Sequence, residues 1–382
     1  MIKRFFKNIG VLALALSLAL VLGELLLRLV VPDSPKNYIW PPKLQQIFKP
    51  SEGIMPGISG LAYVSFNSLG VRGSEPEKEA IKMMTIGGST TECLYLDQEE
   101  AWPQLLQEKL NENSSTRYWV GNAGKSGLHS GHVRMVMEYM LQDPDFREVE
   151  TLLVLSGIND LMRFLSDSNR YLYPDYEGMI RLTFSIISYD EVALPFYKET
   201  AWYRVLRNSK HRYRSGNIQD EAGETYEGWR SNRRNASRII PELPDMTTAL
   251  TKYHDNLEMM ADMAARHGQE IIFLTQPTLY HSDMPDSLSR LLWMGGKGNY
   301  QNHCCAEYYS PEALDDGIRQ FNEVLLEVVQ ERNLPYIDLT DSFVKGTKTF
   351  YDDCHFNESG SRQMADLLHQ YFIERNSILA AQ

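Results

Sequence analysis

Three side chains from the two ends of the sequence have the types that nucleophilic acyl chemistry requires. Ser89 follows two glycines in TIGGSTTECL (85–94), where an apolar run stops. In YDDCHFNESG (351–360), Asp352 stands three residues before His355. A serine hydroxyl becomes nucleophilic when an imidazole takes its proton and a carboxylate orients that imidazole. Because one tight loop can bring Asp352 back to His355, these residues predict a Ser-His-Asp triad.

Two more residues suit stabilisation of the negative charge that forms on a substrate oxygen during acyl transfer. Gly127 ends NAGKSG, and because it lacks a Cβ its backbone N–H can approach a ligand closely. Asn159, in SGIND, can donate from its side-chain amide. Together with the backbone N–H of Ser89, they predict three oxyanion donors, each at the end of a core strand.

Two other motifs partly match known binding sites. GNAGKSG (121–127) contains the Gly-Lys-Ser of a phosphate-binding loop, but Trp119 occupies the position of that loop's first glycine. Ala123 likewise breaks the dinucleotide fingerprint. His129 and His132 could share a metal, yet no HExxH pattern or supporting set of acidic and cysteine ligands accompanies them. We therefore expect no metal and no cofactor, and we interpret the two histidines as polar residues of a loop or helix start.

Short apolar runs alternate with amphipathic segments and predict the elements that position these residues. The runs are MMTIG (83–87), YWVGNAG (118–124), TLLVLSG (151–157), EIIFLTQP (270–277) and PYIDL (335–339). Apolar residues recur at helical spacing in 250–264, 314–328 and 364–372. This alternation predicts a three-layer α/β/α domain around a central parallel five-stranded sheet. Ligands bind beyond the carboxyl ends of such strands, where Ser89 would lie.

Residues 1–32 predict a membrane element. A basic flank, MIKRFFK, precedes an apolar segment that continues to Val31 around Glu24 and Arg28. The segment is long enough to cross about 30 Å of hydrocarbon, and Glu24 and Arg28 are spaced to pair near its outer end. We expect an uncleaved signal-anchor with the body in the periplasm or cell exterior. The alternatives are a cleaved signal peptide, which would release a secreted protein, and a helix that lies on the membrane surface.

The remaining sequence divides into two parts. Residues 33–80 are expected to be an approach segment, and 81–382 the catalytic domain, interrupted at about 160–246 by an insertion without a clear strand. Within the insertion, 198–238 contains ten basic and five acidic residues. This local charge predicts either a receptor for an anionic sugar or lipid headgroup, or an ordinary solvated helical insert. The whole chain has a formal charge of −12, so we expect no nucleic-acid partner.

The four cysteines are too few for a disulfide scaffold. They are Cys93, Cys304, Cys305 and Cys354. Cys93 and Cys354 each stand near a predicted catalytic residue, so a bridge that braces the site is one possibility. Small buried thiols are the favoured interpretation.

Taken together, GGST, NAGKSG, GIND and DDCH resemble the four blocks of the SGNH (GDSL-like) hydrolase family. They occur in the family's order, and the resemblance spans Lys82 to about Phe372. The upstream FNSLGVRG (66–73) is similar to a segment of membrane-anchored bacterial members. One departure is Gly88, where the family usually has aspartate. That carboxylate is not a triad member, so the chemistry is expected to survive, while the local turn and the substrate range stay open.

The resemblance implies a flavodoxin-like fold and a role for each site residue. Ser89 would be the nucleophile, Gly127 and Asn159 oxyanion donors, and Asp352 and His355 the orienting acid and the base. We expect a serine esterase that removes a short acyl group, such as acetyl, from a cell-envelope or extracellular carbohydrate. The alternatives are an O-acyltransferase acting on a polysaccharide, a lipase or lysophospholipase, and a catalytically silent carbohydrate-binding module. The intact triad argues against the last.

Overall fold

The computed structural model describes most of the chain, and its elements follow the predicted alternation of strands and helices. The described residues are 2–31, 36–51, 53–112, 114–188, 192, 194–214, 218–220 and 223–380. Within these ranges the strands are β1 (Gln45–Phe48), β2 (Ala62–Ser65), β3 (Ile81–Gly87), β4 (Tyr118–Gly124), β5 (Val149–Leu155), β6 (Ile218–Asp220), β7 (Arg238–Ile240), β8 (Glu270–Leu274), β9 (Glu307–Tyr309) and β10 (Tyr336–Ile337).

The helices of the described residues range from one turn to more than five turns. They are α1 (Ile2–Val30), α2 (Ser89–Glu92), α3 (Trp102–Asn111), α4 (Ser130–Gln142), α5 (Ile158–Ser166), α6 (Ser168–Leu172), α7 (Tyr176–Thr183), α8 (Ala201–Arg214), α9 (Glu224–Arg234), α10 (Thr247–Arg266), α11 (Asp286–Ser289), α12 (Pro311–Glu331) and α13 (Glu358–Ala380). Short 3-10 turns cover Gln98–Glu100, Pro144–Phe146 and Phe196–Glu199.

The central sheet has five parallel strands in the order β10-β8-β5-β3-β4. Its inner strands are buried along nearly their whole length, which explains why their sequences are continuous apolar runs rather than alternating ones. Helices flank the sheet: α3 packs against α13, and α10 packs against α4 and α12. The predicted three-layer α/β/α fold with a parallel five-stranded sheet is therefore confirmed.

The long helices begin and end where their sequences predict. The hydroxyl of Ser310 accepts a hydrogen bond from the N–H of Ala313 at 3.2 Å, so it caps α12, and Pro311 occupies the first turn. At the end of α10, Gly268 has a φ of +68°, a conformation that favours glycine. These signals fix the positions of the helices that support the sheet.

The segment expected to lead from the membrane to the sheet is a packed part of the fold. β1 pairs antiparallel with β2, and the guanidinium of Arg72 is buried behind them. It donates to the side chain of Gln98 and to the backbone carbonyls of Glu92, Cys93, Leu96 and Asp97. The backbone of Arg72 also exchanges two hydrogen bonds with Asn122 of β4. The FNSLGVRG segment thus ties the loop after Ser89 to the edge of the sheet.

The insertion at about 160–246 contains two short strands, so the expectation that it has no strand is wrong. β6 pairs in parallel with β1, and β7 pairs in parallel with β9. Each strand is three residues long and extends a small sheet whose other strands lie far away in the sequence. These strands form because they pair with distant segments, so their own sequences show little strand-like pattern.

Two arginines of α9 serve the fold and do not form the predicted anion receptor. Arg230 is buried and donates to three backbone carbonyls, those of Ile54, Leu291 and Tyr351. Arg233 is also buried and donates to the carbonyls of Met294 and Tyr309. Because these guanidinium groups already satisfy backbone oxygens, neither the receptor nor the solvated-surface interpretation holds for this pair.

The N-terminal helix has the length and composition of a membrane span. Within α1, the segment Phe6–Val30 has a mean hydropathy of 2.4 and is not buried by the rest of the chain. The predicted ion pair is present, with Arg28 Nε 2.8 Å from Glu24 Oε1.

All four cysteines are free thiols. Cys93 and Cys354 are buried, whereas Cys304 and Cys305 are exposed. The bridge considered for the first pair does not form, and the interpretation of Cys93 and Cys354 as small buried thiols is confirmed.

Candidate active site

Ser89 lies at the carboxyl end of β3, as the first residue of the one-turn helix α2. The two glycines at the strand end allow neighbouring atoms to approach the backbone closely. A Cβ on Gly87 would lie 2.4 Å from the carbonyl oxygen of Leu155 on the neighbouring strand, a contact that real Cβ atoms do not make. The Oγ of Ser89 is 2.7 Å from Nε2 of His355. The two ends of the described domain therefore meet at this hydroxyl.

Asp352 and His355 occupy one buried loop ahead of α13. Nδ1 of His355 is 2.7 and 2.8 Å from the two carboxylate oxygens of Asp352, so the predicted contact between these side chains is present. Burial favours the neutral acid, but the charge and hydrogen bonds of His355 outweigh it and hold the pKa of Asp352 below its ordinary value. Burial would lower the pKa of His355, and the Asp352 carboxylate instead raises it well above its ordinary value.

The Asp352 carboxylate has a further partner that sequence reasoning missed. The indole Nε1 of Trp293 donates to Oδ2 at 3.0 Å, while the backbone N–H groups of Cys354 and His355 donate to Oδ1. The adjacent Asp353 holds Trp293 in turn, accepting its backbone N–H at 2.9 Å. The doubled acid in YDDCH was a visible signal, but nothing in the sequence pairs it with a tryptophan about sixty residues away.

Gly127 and Asn159 line the same cavity as Ser89 and His355. Gly127 follows β4 with a φ of +80°, which only glycine adopts readily. Asn159 lies in the first turn of α5, and its Nδ2 donates to the carbonyl of Leu128 at 2.9 Å. An amide nitrogen carries two hydrogens, so one remains for a ligand in the cavity.

The loop that carries Gly127 is fixed on both sides by buried carboxylates. Glu92 accepts the backbone N–H of Ser126 at 2.6 Å and its hydroxyl at 2.5 Å. Asp160 accepts the backbone N–H of Ser130 at 2.9 Å and its hydroxyl at 2.5 Å. Burial raises the pKa of Glu92 and raises that of Asp160 to about 6. These acids were not predicted, although each stands inside a motif quoted above.

The structure explains why Gly88 has no side chain. A Cβ built on Gly88 would lie 2.3 Å from Nδ2 of Asn159 and 3.2 Å from the carbonyl oxygen of Leu128. The aspartate typical of the family would therefore enter the space that the Asn159 amide occupies. In this chain, glycine at position 88 is a condition for the observed position of Asn159.

A cavity of about 450 Å³ opens beside Ser89, and aromatic rings form much of its wall. The aromatic lining residues are Tyr95, Tyr226, Trp229, Trp293, Tyr300 and Tyr351. Trp229 and Trp293 have ring centroids 4.5 Å apart with their planes tilted by 33°, and Tyr226 packs edge-on against Trp293. Polar side chains of Arg163, Asn299 and Gln301 lie among them. The insertion thus supplies part of the wall through α9.

The candidate metal ligands do not form a separate site. Among the residues that the structure describes, the one group of three potential ligands is Asp352, Cys354 and His355, whose donor atoms already serve the hydrogen bonds above. The rings of His129 and His132 are 4.0 Å apart and buried. Burial lowers the pKa of His132 to about 3. We interpret the two histidines as neutral packing residues at the start of α4.

Comparison with known families agrees with this geometry. The chain belongs to the GDSL-like lipase/acylhydrolase family, which matches residues 85–363. That range begins in β3 and ends in α13, so it includes Ser89, Asn159 and His355. No curated relative matches the sequence.

Solved structures similar to this chain include several esterases. A GDSL-family lipolytic protein from Veillonella parvula is 14% identical, with 77% of this chain and 99% of that chain covered and a TM-score of 0.41. The aryl esterase of M. smegmatis is 9% identical over 77% and 99% of the two chains, with a TM-score of 0.40. A catalytic mutant of an acetylxylan esterase from Geobacillus stearothermophilus is 15% identical over 77% and 95%, with a TM-score of 0.40.

Replacing Gly88 with alanine is expected to displace the Asn159 amide, because the new Cβ would lie 2.3 Å from Nδ2. Loss of one oxyanion donor lowers kcat by about 10²–10³-fold, so we expect a loss of this size for hydrolysis of a p-nitrophenyl ester. Asn159→Ala should cause a similar loss. The double variant should lose no more than either single one, since both changes act through the same amide.

The matched control is Gly346→Ala, because a Cβ at that position meets no atom within 4 Å. It should leave kcat unchanged. Losses that multiply in the double variant, or an unchanged kcat in Gly88→Ala, would contradict this account of position 88.

Proposed function

We propose that the protein is a serine esterase that acts through an acyl-enzyme. The observation that carries this proposal is the unbroken hydrogen-bonded chain from Ser89 Oγ through His355 to Asp352, which opens on the cavity. Nε2 of His355 takes the hydroxyl proton as Oγ attacks the ester carbonyl. Asp352 stabilises the imidazolium that forms, and its influence on the pKa of His355 has the sign this step requires.

The oxyanion of the tetrahedral intermediate is held by three donors. They are the backbone N–H groups of Ser89 and Gly127 and the free amide hydrogen of Asn159. The imidazolium of His355 gives its proton to the leaving alcohol as the carbon–oxygen bond breaks. Water then attacks the acyl-enzyme, again losing a proton to His355, and the acid leaves as Ser89 recovers its hydrogen.

The aromatic wall supports an acylated carbohydrate as the substrate. One face of a pyranose ring presents C–H groups, which pack favourably on the electron-rich face of an accessible aromatic ring such as the half-buried Trp229. The polar side chains of Asn299 and Gln301 lie where they can bind sugar hydroxyls. A short acyl group such as acetyl fits beside Ser89. The carbohydrate would belong to the cell envelope or extracellular space, with α1 holding the enzyme in the membrane and the site on its outer side.

The direct test uses a fluorophosphonate probe and p-nitrophenyl acetate on the full-length protein. Wild type should be labelled covalently and should hydrolyse the ester, whereas Ser89→Ala should do neither, because it lacks the attacking oxygen. Ser115→Ala changes an exposed serine and should behave as wild type. If wild type is not labelled and cleaves no ester in a panel of acyl lengths, the proposal fails. Acetyl transfer to an added oligosaccharide would instead identify a transferase.

The pH profile of kcat/KM should report the protonation of His355. Burial lowers the pKa of this imidazole, but Asp352 raises it further, to well above the ordinary 6.5. Since the imidazole accepts a proton only when neutral, activity should be lost as the pH falls through that raised pKa. Asp352→Asn removes the negative charge, so the acid limb should move to lower pH and kcat should drop by about 10⁴-fold.

Asp366→Asn is the control for the pH profile, because it neutralises an exposed carboxylate that pairs with Lys109. Its profile should coincide with that of wild type. An acid limb that stays in place in Asp352→Asn would show that another group controls it.

The carbohydrate part of the proposal is tested at Trp229, because Trp293 also binds Asp352. Trp229→Ala should raise KM for an acetylated oligosaccharide by about tenfold, the loss of one aromatic stacking contact. The change in KM for p-nitrophenyl acetate should be smaller, since that ester has no pyranose ring to pack on Trp229. Tyr63→Ala, an exposed aromatic outside the cavity, is the control. Equal KM changes for both esters would argue against a sugar-binding wall.

A further inference from the structure

The outer part of α1 is joined to the first turn of α8 in the insertion. The indole of Trp202 lies on Gly23, and its Nε1 donates to the carbonyl of Leu20 at 3.0 Å. A Cβ on Gly23 would lie 2.4 Å from Cζ2 of Trp202, so glycine provides the space that the ring occupies.

The carboxylate of Glu24 completes the joint. It accepts the backbone N–H of Ala201 at 2.9 Å and that of Trp202 at 3.2 Å, which are unpaired donors at the start of α8. The same carboxylate pairs with Arg28. A carboxylate in an apolar helix is costly in a membrane unless it is paired, and so is an open helix terminus. The Glu24 carboxylate and the N–H groups at the start of α8 are hydrogen-bonded to each other, so neither needs water as a partner.

The position of the joint along α1 gives its depth. A helix needs about 20 residues to cross the hydrocarbon, and that length, counted from Lys7 at the end of the basic flank, ends near Leu27. Leu20, Gly23 and Glu24 therefore lie within about 10 Å of the outer boundary. Because Trp202 contacts these residues, the start of α8 must lie at the same level.

The segment around Trp202 exposes large apolar side chains. Phe196 is 81% exposed, Leu206 is 67% exposed, and Tyr197 and Trp202 are exposed between them. The rest of α8 is basic, since AWYRVLRNSKHRYR contains no acidic residue. Aromatic side chains beside basic ones are typical of helices that lie in the interface of an anionic bilayer.

We infer that Phe196–Leu206 is a second membrane contact, which lies in the outer leaflet of the bilayer that α1 crosses. The Glu24–Trp202 joint holds it against α1. The inference rests on the proposed anchoring of the chain by α1, and not on the chemistry of Ser89. The contact would bring to the membrane surface the same insertion whose helix α9 contributes Tyr226 and Trp229 to the cavity wall.

Photo-crosslinking tests the contact in the full-length protein, reconstituted in vesicles of phosphatidylethanolamine and phosphatidylglycerol. Benzoylphenylalanine would replace Phe196 or Leu206, and Val344 serves as the control because it is 64% exposed, close to the value for Leu206. We expect lipid adducts at positions 196 and 206 severalfold above those at 344. Adducts at 196 and 206 no more frequent than at 344 would overturn the inference.

A second variant tests the joint without weakening the membrane helix. Gly23→Leu makes α1 more apolar but fills the space under Trp202, so adducts at position 206 should fall severalfold while α1 stays in the membrane. Gly10→Leu is the matched control, since a Cβ there meets no atom within 4 Å. Unchanged adducts in Gly23→Leu would overturn the role of the joint.

Membrane anchoring by α1 and the reactivity of Ser89 are measured separately in the same preparation. If alkaline carbonate releases the wild-type chain from membranes, α1 does not anchor it and the inference fails. Labelling of Ser89 by the fluorophosphonate probe would be unaffected by that outcome, and its absence would count only against the esterase proposal.

Discussion

The interior charge of Asp352 is the constraint on which the rest of the site depends. A buried carboxylate is costly unless hydrogen-bond donors surround it, and here the donors come from its own loop and from Trp293. Trp293 must therefore be held as firmly as the acid, and Asp353 does this by accepting its backbone N–H. Arg230 completes the support by donating to the carbonyl of Tyr351, beside the acids. One charge thus organises the loop before α13, the Trp293 segment and α9.

The side of the cavity that carries Gly127 and Asn159 is built on the same principle with different residues. Glu92 and Asp160 are both buried. Glu92 binds Ser126 on one side of Gly127, and Asp160 binds Ser130 on the other. Groups outside the cavity therefore fix the Gly127 peptide that should face the substrate. Their raised pKa values record what burial costs these acids. Rigid hydrogen-bond donors stabilise a developing charge without reorganising. The buried acids contribute to this rigidity by holding the loop that carries the Gly127 N–H.

The sequence predicted what depends on local pattern and strand order. Apolar runs alternating with segments of helical spacing predicted the parallel sheet, and the rule that ligands bind at strand ends brought Ser89, Gly127 and Asn159 together. It did not predict Arg72, Trp293 or the strands of the insertion, because their partners are distant in the chain and residue type alone does not reveal whether a side chain is buried. The arginines of α9 show this most clearly. They were expected to face solvent or an anion, yet Arg230 and Arg233 bind backbone carbonyls in the interior.

Arg230 and Arg233 also indicate whether the insertion part that contains α9 can move as a lid. A lid that opens freely should have few buried contacts to the domain it covers. α9 instead donates from buried guanidinium groups to carbonyls in three distant parts of the chain: the approach segment, the Trp293 loop and the loop that carries Asp352 and His355. Moving α9 would leave these carbonyls and two charges without partners, at a cost of several kcal/mol. The part of the aromatic wall that α9 supplies is therefore preformed, and no movement of α9 is needed to complete it.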